Sequence, residues 1–189
     1  MESHKNSDKI YLMGMKHTGK SRHGRMLAET LGRAFWDTDA LIQELDAADT
    51  GMRRTVRDIY LEDGADRFRQ LEHAACELAA QRDEASVIAT GGGLCDNPEA
   101  VEVVQGGLRV HLLDALEALE ARIFRGGIPA FLHTQDDVVA RERFGELYER
   151  RVSSYDSLAD LRVDLRNLSL AEAQSVLRAS IEEYMRGRK

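Results

Sequence analysis

The sequence predicts an α/β domain, a three-layer sandwich in which a five-stranded parallel sheet carries helices on both faces. Three observations support that prediction. Apolar or alternating runs at 10–13, 34–36, 87–90, 108–113 and 161–165 are each followed by a helical pattern, and strands that alternate with helices pair in parallel. The first run leads into Gly14-Met15-Lys16-His17-Thr18-Gly19-Lys20-Ser21, a G-x-x-x-x-G-K-[ST] loop that belongs between a strand and a helix. The 189 residues contain no internal repeat, low-complexity tract or linker, so 1–189 reads as a single domain with one layered core. Right-handed crossovers follow by default.

Composition narrows the function classes. A net charge of -7 opposes general nucleic-acid binding, because a protein that grips phosphates needs a favourable field. No apolar run approaches the ~20 residues that span a bilayer, so no membrane partner is expected. Residues 1–8 lack the apolar core of a secretion signal, and two cysteines are too few for a stapled secreted scaffold. A reducing cytoplasm fits. Cys76 and Cys95, without a CxxC or clustered histidines, read as packing residues. With no exposed heptad or apolar patch legible, a monomer is the default.

Ile10 to Met13 reads as a buried strand. In the loop after it, Gly14 and Gly19 allow backbone amides to turn inward around a polyphosphate, Lys20 supplies a point charge to the β- and γ-phosphates, and Ser21 offers a hydroxyl to Mg2+. The helix from Ser21 to Leu31 aims its N-terminus at the anion, turns Met26, Leu27 and Leu31 to one side, and stops at Gly32. Ala34-Phe35-Trp36 makes a second strand ending in Asp37-Thr38-Asp39. If strand geometry continues, both acids project to one side at the end of the sheet where α/β proteins hold ligands. One could hold the water shell of Mg2+ while the other accepts a proton; alternatively this is a solvated turn that caps the helix beginning near Ala40.

From Leu41 to Gln81 the pattern is helical, broken near Asp49-Thr50-Gly51 and at Asp63-Gly64, with Leu41, Leu45, Val56, Ile59, Tyr60, Phe68 and Leu71 inward. Arg69 and Glu72, at an i, i+3 spacing, sit side by side, either as part of a site or as a surface ion pair. Val87 to Thr90 is a third strand and runs into Gly91-Gly92-Gly93. Close approach of a ligand to bare backbone explains three glycines better than a plain turn does. Asn97 and Pro98 mark a helix start. Leu108 to Leu113 is a fourth strand, after which Asp114 caps a helix ending around Arg122 to Arg125. Gly126-Gly127-Ile128-Pro129 then reads as a mobile segment that, with Arg122 and Arg125, could close over a phosphate, or as an exposed loop. A charged helix follows from about Asp137 to Ser154, then a last strand at 161–165. Ser169-Leu170-Ala171-Glu172 is a capping box for a final helix through Tyr184.

The phosphate loop, D-x-D at Asp37-Thr38-Asp39, F-R-x-x-E at Phe68-Arg69-Gln70-Leu71-Glu72, Gly91-Gly92-Gly93 and the Arg151 region, in this order, resemble shikimate kinases, a family of the nucleoside-monophosphate-kinase-like P-loop fold. The resemblance covers nearly the whole chain. It implies a substrate-binding helical subdomain at about 41–75 and a lid near 122–136. The activity it implies is ATP- and Mg2+-dependent phosphorylation of a ring hydroxyl of shikimate. Carried over by position, Asp39 hydrogen-bonds substrate and takes the proton, Asp37 and Ser21 serve the metal, and Gly14 to Ser21 with Arg22 bind the nucleotide. Arg69 and Arg151 clamp the substrate carboxylate beside Gly91, Gly92 and Gly93; Glu72 orients Arg69; and Arg122 lies near the adenine and, with Lys20, neutralises charge.

Three positions depart from the family pattern. The lid motif R-P-L-L reads Ile128-Pro129-Ala130-Phe131, the residue after the loop serine is Arg22, and the acid of the D-G-E stretch is Ala65. Hence Arg122 or Arg125 replaces the lid arginine, or the acceptor is another polyhydroxylated acid, or the chain is a nucleotide-binding regulatory protein without turnover.

Overall fold

The structure, a computed structural model, describes residues 8–187, so residues 1–7 of the segment read for a secretion signal lie outside the described residues. Five strands form one parallel sheet in the order β2 (Ala34–Asp37), β3 (Ser86–Ala89), β1 (Lys9–Met13), β4 (Leu108–Leu113), β5 (Leu161–Asp164). Alternation along β1 feeds two cores. Tyr11 and Met13 enter one with Leu41, Ile59, Leu71 and Ala75, while Ile10 and Leu12 enter the other with Leu27, Val110, Leu177 and Ile181. The first is covered by α2 (Thr38–Thr50), α3 (Val56–Ala80) and α4 (Pro98–Val104), the second by α1 (Lys20–Leu31) and α7 (Leu170–Gly187). This is the expected three-layer sandwich.

The strand order positions the site. The connection leaving β1 passes β3 to reach β2, and the one leaving β3 passes β1 to reach β4. The chain therefore leaves the carboxyl ends of β1 and β3 toward helices on opposite faces of the sheet, and such a switch point opens a crevice. A third apolar cluster, of Met15, Leu119, Ile123, Leu132, Ala140 and Phe144, ties the loop after β1 to α5 (Leu116–Ile123) and α6 (Asp137–Leu158).

Several local expectations change. Helix α1 buries Gly24, Leu27 and Ala28 rather than Met26, and a Cβ on Gly24 would lie 2.7 Å from the Phe35 ring, so glycine lets α1 settle on β2. The break at Gly64 is a kink within α3, where Gly64 takes φ 84° and ψ 176°. Asp114 does not cap α5; Ala115 occupies that position without a side-chain cap, and the Asp114 carboxylate is taken by Arg122 at 2.6 Å. Ser169 and Glu172 do make the reciprocal capping bonds that open α7.

Candidate active site

The loop after β1 owes its shape to backbone constraints. Gly14 takes φ +138°, and a Cβ there would meet the Leu112 carbonyl at 2.5 Å; Gly19 takes φ +84°. His17 holds φ 68° without being glycine, a conformation that costs an ordinary residue about 1–2 kcal/mol. Thr18 Oγ1 donates to the Met15 carbonyl at 3.0 Å and closes the turn. Lys20 folds back so that Nζ donates to the Gly14 and Met15 carbonyls, both at 2.8 Å. Burial pulls its pKa down to about 8, against the raising influence of Asp39 and Asp37. The first turn of α1 carries no acidic residue and no side-chain cap, so its free amides face the crevice as an anion site.

At the end of β2, the strand stops at Asp37 and helix α2 begins at Thr38, so the two acids reach the crevice by different routes. Asp37 caps α2, accepting from the Asp39 amide at 3.0 Å, as the turn reading expected; yet both side chains line the cleft. Burial first, then Asp37, raises the Asp39 carboxyl, while Lys20 and Lys16 pull it back. Thr38, which the sequence did not single out, is fully buried and its hydroxyl accepts from the Gly91 amide at 3.0 Å, locking the ends of β2 and β3 together.

The three glycines after β3 make room for protein, not only for a ligand. A Cβ would lie 2.6 Å from Glu72 Oε1 at Gly91, 2.7 Å from the Lys16 backbone nitrogen at Gly92, and 3.2 Å from Arg151 Nη2 at Gly93. The Gly92 carbonyl accepts from Arg151 Nη1 at 2.9 Å, and Asp96 Oδ2 accepts from Arg151 Nε at 2.9 Å, so the guanidinium plane is held at the cleft wall. Burial alone would raise the Asp96 carboxyl, but Arg150 and Arg151 hold it below the usual carboxylate range.

The expected pairing of Arg69 with Glu72 is not formed. Glu72 is 2% exposed, its Oε2 accepts from Asn97 Nδ2 at 3.0 Å, and among the described residues its Oε1 has no partner. Burial raises its carboxyl, with Asn97 opposing. Arg69 is half-exposed, lies outside the cleft lining and reaches Asp66 at 3.2 Å. The reason is solvation: Asn97 gives one oxygen of the buried carboxyl a neutral donor, while Arg69 keeps its charge in water. Asn97 Nδ2 also donates to the Arg69 carbonyl at 3.0 Å, which pins the helix without holding the side chain.

These parts enclose a cleft of about 680 Å3. Met15, Lys16, His17, Gly19, Lys20, Ser21 and Arg22 form its floor, with Asp37, Asp39, Glu72, Gly91, Gly92, Gly93 and Arg151 beyond. Gly14 and Thr18 are buried and do not line it. Arg122 lines the opposite edge, its Nη1 donating to Asp114 at 2.6 Å and to the His17 carbonyl at 2.9 Å. Arg125 is exposed and outside the lining, and Ile128 packs on the cluster of Met15 and Phe144. Val56, Tyr60 and Phe68, expected only as inward positions, face the cleft, with Tyr60 and Phe68 in edge-to-face contact at 5.8 Å. Arg57 lines it too and carried no sequence signal, since its direction depends on how α3 meets the sheet.

Among the described residues no group of His, Cys, Asp or Glu could cage a metal by itself. Mg2+ carried on nucleotide phosphates needs only one or two hard oxygen donors, and the hydroxyl of Ser21 and the carboxylate of Asp37, both in the cleft lining, are of the right kind. No described helix is long and apolar enough to cross a membrane.

A sequence model of the shikimate kinase family matches residues 16–182. The chain is 35% identical to the shikimate kinase of Desulforudis audaxviator over 176 residues, 92% of this chain and 86% of that one. It is 34% identical to that of Caldanaerobacter subterraneus over 175 residues, 92% and 96% of the two chains. The solved shikimate kinase from Acinetobacter baumannii in complex with shikimate has a TM-score of 0.78 at 27% identity, covering 98% of this chain and 96% of its own. The enzyme from Bacteroides thetaiotaomicron gives 0.74 at 25%, covering 94% and 98%. Likeness of sequence and likeness of fold thus run together from the phosphate loop to the last helix, and the chain belongs to the shikimate kinase family.

Proposed function

We propose that this protein transfers the γ-phosphoryl group of ATP to a hydroxyl of shikimate. One observation carries the reading: Lys20 on the phosphate loop, Asp39 at the end of β2 and Arg151 at the glycine run share one cleft. A grip on the donor's phosphates, a proton acceptor and a carboxylate anchor are the three functions that phosphorylating a hydroxy acid requires. In the step, the bond between the acceptor oxygen and the γ-phosphorus forms as the bond to the bridging oxygen breaks, and the hydroxyl proton passes to Asp39. A carboxyl raised by burial is a stronger base near neutral pH. Lys20, whose charge burial disfavours, is compensated by the β- and γ-phosphates, helped by the amides of Gly19 to Ser21 and by Arg22 at the floor. Mg2+, when bound, neutralises charge on the phosphates; Ser21 and Asp37 hold its shell. Arg122 lies over the nucleotide side, and Arg151 presents its planar fork to the carboxylate. Arg69 joins that clamp by swinging inward on the helical subdomain at 41–75, and the segment at 122–136 acts as the lid. The setting is a cytoplasmic monomer that acts on a small molecule, without nucleic acid or membrane.

ADP release from Mg-ATP, with shikimate and then with a panel of polyhydroxylated acids, tests the reading. Stimulation by shikimate supports it. Stimulation by another acid alone moves the acceptor. ATP binding without acceptor-dependent turnover leaves a regulatory protein.

A further inference from the structure

A phosphoryl group in transfer spreads negative charge over three oxygens, and a cation placed beside them is among the largest contributions a protein can make. Six cationic side chains line this cleft: Lys16, Lys20, Arg22, Arg57, Arg122 and Arg151. Three already hold protein partners and have their own tasks in the reading above. Lys20 Nζ is bound to two loop carbonyls, Arg122 to Asp114, and Arg151 to Asp96 and Gly92. Beyond Arg122 the lid brings no cation: it presents Ile123, Gly127, Pro129 and Phe131 to the cleft, Ile128 packs on the cluster of Met15 and Phe144, and Arg125 lies outside. Of the remaining three, Arg57 stands on the first turn of α3, remote from the phosphate loop in the chain, and Arg22 on the first turn of α1, beside His23.

Lys16 is placed differently. It is on the loop itself, and its main chain abuts Gly92, so its side chain starts where the phosphate floor meets the acceptor side. Its charge acts on Asp39 and on Lys20, the groups on the two sides of the transfer. Among the described residues its ammonium makes no hydrogen bond or ion pair, so it can move to an arriving anion without breaking a contact. We infer that Lys16 is a catalytic residue whose ammonium meets the non-bridging γ-oxygens during transfer, supplying from the floor the charge that the lid does not supply from above. The inference rests on the phosphoryl-transfer reading above.

The test compares Lys16→Met and Lys16→Arg with the unaltered protein in shikimate-stimulated ADP release, alongside binding of ADP with aluminium fluoride, a mimic of the group in flight. Lys16→Met is expected to lower kcat by about 10²-fold or more. Its KM values stay within about 3-fold, because an interaction made only in the transition state leaves ground-state binding alone. Lys16→Arg keeps most of the rate. Lys16→Met also loses affinity for ADP with aluminium fluoride while binding ADP alone normally. The inference is overturned if Lys16→Met keeps its kcat, or if the loss lies wholly in KM. A lack of turnover in the unaltered protein overturns the parent reading and this one together, whereas turnover there with an unaffected Lys16→Met overturns this one alone.

Discussion

Gly92→Ala probes the junction on which the site depends. A Cβ at Gly92 would sit 2.7 Å from the Lys16 nitrogen and 3.0 Å from its Cα. That is roughly 0.7 Å short of the 3.4 Å at which ordinary contact begins, and both partners are main chain, which has no rotamer to turn away. The phosphate loop and the glycine run must therefore separate by most of an ångström. A misplacement approaching 1 Å between donor and acceptor costs on the order of 10²-fold in rate. The strain should also lower stability by about 1–3 kcal/mol. Rate is read as kcat for ADP release, and stability as the denaturant midpoint. Gly145→Ala in α6, where a Cβ meets nothing within 4 Å, serves as the comparison and should gain up to ~1 kcal/mol. Full kcat in Gly92→Ala would refute the claim that this contact sets the spacing of the site.

His17→Gly removes a side chain from a left-handed position and should stabilise the fold by up to ~1 kcal/mol after the greater freedom of glycine in the unfolded chain is counted, measured as a rise in Tm; a fall would mean the imidazole supports the loop. Asn97→Ala strips the buried Glu72 carboxylate of its donor and α4 of its cap, with an expected loss of about 2–4 kcal/mol by denaturant titration; a loss under ~0.5 would show that water replaces the amide. Because burial lowers Lys20 to about 8, kcat/KM for ATP should fall as pH rises through that value, and a profile flat to pH 10 would contradict the assignment. The same shift acts on folding: below about pH 8 the folded state holds a charge that the unfolded chain carries more easily, and between about 8 and 10.5 the unfolded state binds more protons, so this group's contribution to stability rises with pH across that window.

What was legible in the sequence was local. The phosphate loop is readable because two backbone bends need glycine and the anion needs Lys20, all within eight residues. The Ser169 and Glu172 box is readable for the same reason, as is the five-strand order of elements. Asp37 and Asp39 were found as a pair, with a shared strand face and a helix-capping turn as the two alternatives; the structure has the cap and still brings both acids to the cleft, because β2 stops between them. Contacts far apart in the chain were not legible. Glu72 meets Asn97 across 25 residues and Arg151 meets Asp96 across 55, and helix spacing alone suggested Arg69 in place of Asn97. Lys9 shows the same limit. A lysine at a strand start looks exposed, yet it is buried because the Arg82 and Glu84 carbonyls accept from its Nζ at 2.6 and 2.7 Å.

The most direct measurement of the central claim is phosphorus NMR of the protein mixed with Mg-ATP and shikimate, repeated with Asp39→Asn. A new phosphate monoester on shikimate that grows as ADP appears, lost in Asp39→Asn while ATP affinity stays nearly intact, is the result expected. ATP consumed without such a resonance, or a product that forms equally well without the Asp39 carboxylate, would contradict the account.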